Sequence, residues 1–435
     1  MKTLLNLVDF RGPRYSSFFQ TIFWLIWPTK YLQKCRDKYG RVFKLKMFFG
    51  VDFIMISDPK IVKEVALDSE GLLSAGKAQE MFAPLVGESS VFVVDDAEHR
   101  LARTVLRPGL SRSNIERLGD ELPSMLKKEL SLSASDERQY IDLGRTFTNY
   151  SATILIKLIF GIDDRDRAIE YSQTLAPLTG ALSALVGFVP ILKHDFGPLS
   201  PIRILWRQLE KLDLMIYSDI EKYESENSGR DGFLGCMIAE RDSGKTGVSN
   251  TFIRNQIVST MLAGIEVNAG VLAWSVYWIF SSRDNAEFIK NRVLNLEHSD
   301  PIVNDEYLDS VCNEVLRIVP TADFLPRAIL VEGYEKYMLT PSTYLIHRDP
   351  ELYVNPDKFL PDRFIGRKLD PYEFLPFGLG LRHCAGSHLA KMVQKKTITD
   401  LLMNSEISIL DFKKIRPKRR NVIVAPNRLK VKIQY

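Results

Sequence analysis

Cysteine is scarce in this chain of 435 residues: only Cys35, Cys236, Cys312 and Cys384, with no CxxC pair among them. That excludes a disulfide scaffold and a thiolate-rich zinc site, and it fits a reducing compartment. A charge excess is lacking too. The 58 Lys and Arg against 54 Asp and Glu leave a net charge of +4, too balanced to argue for nucleic acid. Repeats, low-complexity blocks and long Gly/Ser linkers are absent. No uninterrupted apolar stretch reaches the roughly 18 residues that a membrane-spanning helix needs. The nearest, FFQTIFWLIW at 18–27, is broken by Gln20 and Thr21 and reads as a buried or interfacial amphipathic segment. A signal peptide is also a poor fit, because Asp9 and Arg11 arrive before any long apolar run forms. What remains is a globular composition, 45% hydrophobic and 26% charged, in a chain long enough to bury a large core.

Residues 39–58 alternate and are β-rich, which predicts a small hairpin. Long, largely proline-free segments at 202–224, 251–280, 304–318 and 386–403 predict helices. Ser, Gly, Asp and Asn cluster into expected loops at 131–137, 225–232 and 243–250. Residues 177–201 hold four prolines and three glycines among apolar residues, an irregular zone. The final segment, 421–435, alternates again and predicts strands. The fold class is mainly α: one domain with a small β appendage.

Five stretches carry chemistry. The strongest is FGLGLRHCAG at 377–386, with Phe377, Gly378, Gly380, Arg382, Cys384 and Gly386 just ahead of a predicted helix. Glycines let the backbone approach a flat ligand and adopt positive φ. A cysteine opening a helix has its thiolate stabilised by free backbone N–H groups and the helix dipole. Arg382 offers a cation to an anionic group of that ligand. In NEVLRIVP, Glu314 and Arg317 lie three apart on one helix face, within reach of a charge-assisted pair. PDKFLPDRF supplies Phe359, Arg363 and Phe364, and EHRLARTVLRPGLS sets His99 and Arg103 four apart on another helix face. The fifth, LAGIEVNAGVLAW, belongs to the helix predicted at 251–280. Cys312 reads as a core residue, and His383 and His388 beside a lone Cys384 make a poor zinc site.

In this order the stretches resemble the cytochrome P-450 family, from about Tyr31 to the C-terminus. The resemblance implies a single-domain P-450 fold with haem b between the long oxygen-site helix and the cysteine-loop helix. Cys384 is then the axial thiolate ligand of the iron, and Phe377 lines the haem loop. His99, Arg103, Arg327 and Arg382 are its propionate contacts. Glu314, Arg317 and Arg363 form a buried network that steadies the cysteine loop. Residues 31–435 are the catalytic domain, and 1–30 an atypical segment where the family's anchor is shortened. Electrons are expected from NADPH through a reductase flavoprotein, docked on Lys391, Lys395, Lys396 and the basic run at 413–420. HRDPELY and PDRF read as eukaryotic and microsomal, with a fungal specialised-metabolite pathway as one setting. The location implied is the cytosolic face of the endoplasmic reticulum membrane, with peripheral membrane contact, or otherwise the cytoplasm.

Two departures matter. Between GYEK and YMLTP the chain is a few residues short of the family's strand-turn. In the long helix the family pattern is Ala-Gly-x-acid-Thr, with Trp seven residues after the Thr. Ala263, Gly264, Glu266 and Trp274 fit, and small residues at 263 and 264 leave room for dioxygen. Val267 stands at the Thr position, and Asn268 follows. Val267 can neither donate nor accept a hydrogen bond, so Glu266 and Asn268 become the candidates for proton supply. The expected reaction is insertion of one oxygen atom from dioxygen into an apolar terpenoid, sterol or polyketide. Contacts to it are expected from 80–91, 177–201, 261–264, 321–325 and 422–426. Two alternatives stay open: a same-fold isomerase or dehydratase acting on a peroxide, and a catalytically impaired haem-binding protein.

Overall fold

A computed structural model describes residues 2–48, 50–134, 140–180, 194–197, 199–226, 232–295, 305–420 and 423–434. The elements that position the site are, in chain order, helices α1 (Ser17–Ile26) and α2 (Pro28–Tyr39), strands β1 (Val42–Lys46) and β2 (Asp52–Ile56), and helices α3 (Asp96–Leu106), α4 (Arg165–Thr179), α5 (Pro201–Ser225), α6 (Asn250–Ile279) and α7 (Asp305–Ile318). Strands β3 (Arg327–Ile329) and β4 (Tyr337–Pro341), helix α8 (Ser387–Asn404), and strands β5 (Pro417–Arg420) and β6 (Ile423–Pro426) follow. The four predicted long helices match α5, α6, α7 and α8 to within about a residue at each end, the usual scatter of helix boundaries.

Packing divides the chain into two units. One comprises Met1–Leu72, Gly119–Phe147 and Val267–Tyr435; the other comprises Leu73–Leu118 and Thr148–Glu266. The division falls within α6, between Glu266 and Val267.

In the first unit β1 and β2 form the predicted antiparallel hairpin, with Phe43 opposite Met55. β2 also pairs in parallel with β4, and β4 pairs antiparallel with β3. The shortened stretch after GYEK therefore still delivers its strand. Phe43, Leu45, Ile54, Ile56 and Leu339 are all fully buried, so the sheet is part of the unit's core. β5 and β6 pair antiparallel, and β6 opens the predicted C-terminal strands.

The apolar run at 18–27 forms α1, and its two polar residues explain its place. Gln20 is fully buried; its amide donates to the carbonyls of Pro13 (3.1 Å) and Tyr15 (2.8 Å), and its oxygen accepts from Lys46 N–H at 3.0 Å. Thr21 Oγ1 accepts from Phe48 N–H at 2.8 Å. Both side chains thus satisfy backbone groups at and beyond the end of β1 that an uncovered edge would leave unpaired. Trp24, buried on the same helix, lies 4.0 Å from the guanidinium of Arg419, which is itself buried in a bidentate pair with Asp323. α1 is packed into the first unit.

α6 is the one described helix with the length and mean hydropathy to cross a bilayer, and 61% of its apolar window is buried inside the protein. The expected loop at 131–137 starts later than read, since a helix continues to Ala134. Pro177 lies inside α4, and much of the remaining irregular zone, 181–193 and 198, falls outside the described residues.

Candidate active site

Cys384 sits on a loop three residues before α8, with its side chain exposed. Its N–H donates to Phe377 O at 2.8 Å, which closes 377–384 into a tight loop. Gly378 turns that loop at φ +81°, a conformation L side chains rarely adopt, and a Cβ there would lie 3.4 Å from Arg382 O and 3.9 Å from Leu325. Phe377 packs with Val271 of α6 on a cluster of Leu316, Tyr353, Phe364 and Phe374. The loop is therefore seated on the C-terminal half of α6 and on α7. Arg382 and Arg327 are both half-buried, Arg382 on the loop and Arg327 opening β3, where its Nη1 donates to Pro326 O at 2.9 Å.

Behind the loop lies the expected network. Glu314 and Arg317 are fully buried on α7. Arg317 Nε donates to Glu314 Oε2 at 2.7 Å and its Nη2 to Oε1 at 2.9 Å, a bidentate pair. Glu314 Oε1 also accepts from Leu360 N–H (2.8 Å) and from Arg363 Nε (3.2 Å). Arg317 Nη1 donates to the carbonyls of His347 (2.7 Å) and Pro356 (2.9 Å). Every hydrogen bond made here offsets the desolvation of two buried charges.

The HRDP residues, read from sequence only as a mark of origin, are structural. His347 is fully buried, stacks on Phe374 at 5.2 Å, and accepts from Leu375 N–H at Nε2, 3.0 Å. An acceptor Nε2 is unprotonated, so the ring is held neutral; burial and the nearby Arg317 push its pKa down to about 3. Arg348 donates to Ile318 O at the end of α7 (2.9 and 2.7 Å), and Asp349 is ion-paired with Arg36 (2.8 Å) and Arg41 (2.7 Å). His347 thereby links the Glu314–Arg317 pair to the residue two before Phe377. A polar residue inside a buried run, IHRDP after TYL, was the available signal.

α6 carries accessible residues along its middle turns. Met261, Ile265, Ala269, Leu272 and Trp274 are buried, while Ala263 is exposed and Gly264, Val267, Asn268 and Val271 are half-buried. A Cβ at Gly264 would meet the Leu155 side chain at 2.5 Å, so the glycine also makes room for a neighbouring helix. The Glu266 carboxylate lies at the limit of hydrogen-bond distance, 3.5 Å, from the Thr179 hydroxyl of α4. Within the first unit Thr321 O accepts from Val424 N–H at 2.8 Å, which brings 321–325 and 423–426 together beside Gly270; Val422 lies outside the described residues.

In the second unit His99 is buried on α3 with Ala102, Val105 and Leu106, while Arg103 is half-exposed. His99 is thus not an ordinary surface residue. Residues 80–91 are docked on the first half of α6, where Gln256 accepts from Val91 N–H (3.1 Å) and donates to Ser89 O (2.7 Å). Cys312 is buried and its thiol is pushed up to about 12, as befits a core residue. The basic surface is smaller than the sequence suggests. Lys395 is paired with Asp309 at 2.7 Å, and Arg419 is buried.

The chain matches the cytochrome P450 family model over residues 11–433. It belongs to the cytochrome P450 family, a class of haem-thiolate monooxygenases. It is 26% identical to cytochrome P450 135B1 of Mycobacterium tuberculosis, over 96% of this chain and 89% of that protein. It is 24% identical to cytochrome P450 138 of Mycobacterium bovis, over 96% and 93%. Among solved structures, retinoic acid-bound cyanobacterial CYP120A1 superposes with a TM-score of 0.80 at 19% identity, covering 95% of this chain and 96% of that one. The cytochrome P450DA haem domain gives 0.80 at 18%, over 98% and 97%. These neighbours share the fold. The curated relatives are bacterial, so the eukaryotic, microsomal and fungal expectation, and the endoplasmic reticulum with it, finds no support in them.

The residues present fit the family's haem. An exposed cysteine ahead of an 18-residue helix, on a loop that Gly378 turns, offers the soft donor that iron takes.

Arg317→Ala leaves Glu314 buried with one cation fewer and is expected to cost about 3–5 kcal/mol. Haem content per chain and chemical unfolding measure it, and wild-type values for both would show that the network is dispensable. His347 carries a pH signature. Its pKa falls from 6.5 in the unfolded chain to about 3 in the fold, so on acidification only the unfolded chain takes up the proton. Stability contributed by the neutral ring is complete above about pH 6.5 and drains as pH falls, by up to about 1.4 kcal/mol per pH unit. His347→Gln should flatten that part of the unfolding free energy between roughly pH 6 and 4; parallel pH profiles would refute the assignment.

Proposed function

We propose that this protein inserts one oxygen atom from dioxygen into a C–H or C=C bond of an apolar small molecule, with Cys384 as the thiolate that would hold the haem iron. The carrying observation is the exposed Cys384 at the start of α8, on a loop fixed from behind by the Glu314–Arg317 pair through His347. Bound haem supplies the dioxygen and one-electron chemistry. The chain supplies the rest. By the family's pattern Arg382, Arg327, His99 and Arg103 are the residues that would hold the carboxylates of the cofactor. Ala263 and Val267 present an apolar surface, and Asn268 is the nearest side chain able to hold a proton or a water. The segments 321–325 and 423–426, rich in Leu, Phe, Val and Ala, support an apolar substrate of terpenoid, sterol or polyketide type, in specialised-metabolite biosynthesis. Electrons come from NADPH through an acidic flavoprotein, which the exposed Lys396, Lys413, Arg416, Lys418 and Arg420 would attract.

A second reading rests on Val267. A chain without the hydroxyl at this position suits rearrangement of a peroxide substrate, which needs no reductase.

Cys384→Ser is expected to abolish the red-shifted carbon monoxide band of thiolate-ligated haem together with turnover, since a neutral hydroxyl is a poor soft donor. Retention of that band in the purified variant would overturn the ligand assignment. Val267→Thr separates the two chemistries. The side chains are nearly isosteric, so packing changes little, and a monooxygenase should couple NADPH use to product better with the hydroxyl restored. Asn268→Ala should worsen coupling. Conversion by the unmodified protein in the absence of any reductase would favour the peroxide reading instead.

A further inference from the structure

In the second unit one buried cation joins three stretches of chain that lie far apart in sequence. Arg254, in the first turns of α6, is 5% exposed. Its Nε donates to Asp213 Oδ1 of α5 at 2.7 Å, and its Nη2 lies 2.6 Å from the same oxygen. Its Nη1 donates to Leu85 O at 2.9 Å and to Asn255 Oδ1 at 3.2 Å. Neutral groups add further ties between 80–91 and α6. Asn255 Nδ2 donates to Ser89 Oγ at 2.9 Å, Gln256 binds Val91 N–H and Ser89 O, and the Ser90 and Ser259 hydroxyls are 2.6 Å apart. The fit is close, since a Cβ on Gly87 would stand 2.1 Å from Asn255. The base of the segment is closed separately: Asp95 accepts from Gly76 N–H at 3.1 Å and from the Ser74 hydroxyl. α5 has an anchor of its own on α4, where Asp219 accepts from Tyr171 at 2.7 Å and from Arg167 at 3.0 Å.

We propose that Arg254 and Asp213 form an all-or-none latch, in which releasing α5 from α6 also releases 80–91. The reason is the charge. A guanidinium cannot shed its proton, so burial this deep is tolerated only beside the carboxylate. Two neutral acceptors, Leu85 O and Asn255 Oδ1, do not balance it. Once Asp213 withdraws, Arg254 is better placed in water, and its Nη1 leaves Leu85 O as it swings out. Asp213 is the end that can withdraw, its side chain being 36% exposed against 6% for Arg254. A carboxylate there is solvated without its partner, whereas the cation is not. The segment then keeps its neutral hydrogen bonds, each weaker than the charge-assisted one it has lost. Where 80–91 contacts substrate, Arg254 decides whether that contact is in place. This consequence rests on the proposed function, and the latch itself does not.

The test is amide hydrogen exchange on the full, haem-loaded chain, read in peptides that span 83–95 and 201–225. Asp213→Asn keeps the shape of the side chain and removes its charge. It is expected to raise exchange at 87–91 by about tenfold or more, the loss of one hydrogen bond to a charged group, although the substituted residue is on α5. Arg254→Met should raise it equally. The double variant should match either single one, because the two residues act as one switch. Lys211→Gln is the control: it removes a different ion pair of α5, to Glu170 at 2.9 Å, and should leave 87–91 at the wild-type rate. Circular dichroism and thermal unfolding report folding of each variant; should Arg254→Met fail to fold, Asp213→Asn and its control still decide. The proposal is overturned if Asp213→Asn raises exchange in α5 alone, or if Lys211→Gln loosens 87–91 as much. It is also overturned if the effects of Arg254→Met and Asp213→Asn add. Exchange needs no substrate, so failure of the proposed chemistry and failure of the latch are read separately.

Discussion

The first unit depends on a pair of charges buried where water cannot reach them. Removing Glu314 and Arg317 from water costs several kcal/mol per ion, and the pair repays this only with complete hydrogen bonding. That completeness is what organises the surroundings. Glu314 and Arg317 together bind the backbone at His347, Pro356, Lys358 and Leu360, four points on a stretch with little regular structure of its own. Irregular backbone that must be buried needs partners for its carbonyls, and two side chains from one helix provide them. Arg363 closes the arrangement, binding Glu314 and, at 2.8 Å, the carbonyl of Val354.

From this centre the constraint spreads to the cysteine loop by contact. His347 contributes its carbonyl to Arg317 and its ring to Leu375 N–H, so one residue faces both ways. Asp349, two residues on, takes Arg36 from α2 and Arg41 from the start of the hairpin. The same short motif therefore ties the N-terminal helices and sheet to the support of the loop. Trp24 repeats the device on α1 through Arg419 and Asp323.

What the sequence showed and what it hid follow from this. Spacing alone exposed Glu314 with Arg317, because their partnership is within one helix, and the Cys384 loop, because glycine, arginine and cysteine crowd into ten residues. The long helices were legible from their periodicity. Partners distant in the chain were not. Gln20 and Thr21 read as flaws in an apolar run, yet they bind backbone 26 and 27 residues away. Arg419 read as one of a basic crowd and is a buried ion-pair partner of a residue 96 positions earlier. Glycine at 264 read as space for a ligand, and its contact with Leu155, more than a hundred positions earlier, could not be read.

The helix that bears the accessible stripe is held differently from the loop. In its first half Arg254, Asn255 and Gln256 bind Leu85 and Ser89, with Ser259 bonded to Ser90. In its last turns Trp274 donates to Val424 O at 3.0 Å, and Ser275 accepts from Gln394 of α8 at 3.2 Å. Between these anchors Val267 makes no polar contact that the fold needs, and a residue of similar shape could replace it at small cost. The opposite holds at Arg317, where any loss strands a buried carboxylate. The stripe can therefore vary by substitution at Val267 while the ion pair behind Cys384 stays as it is.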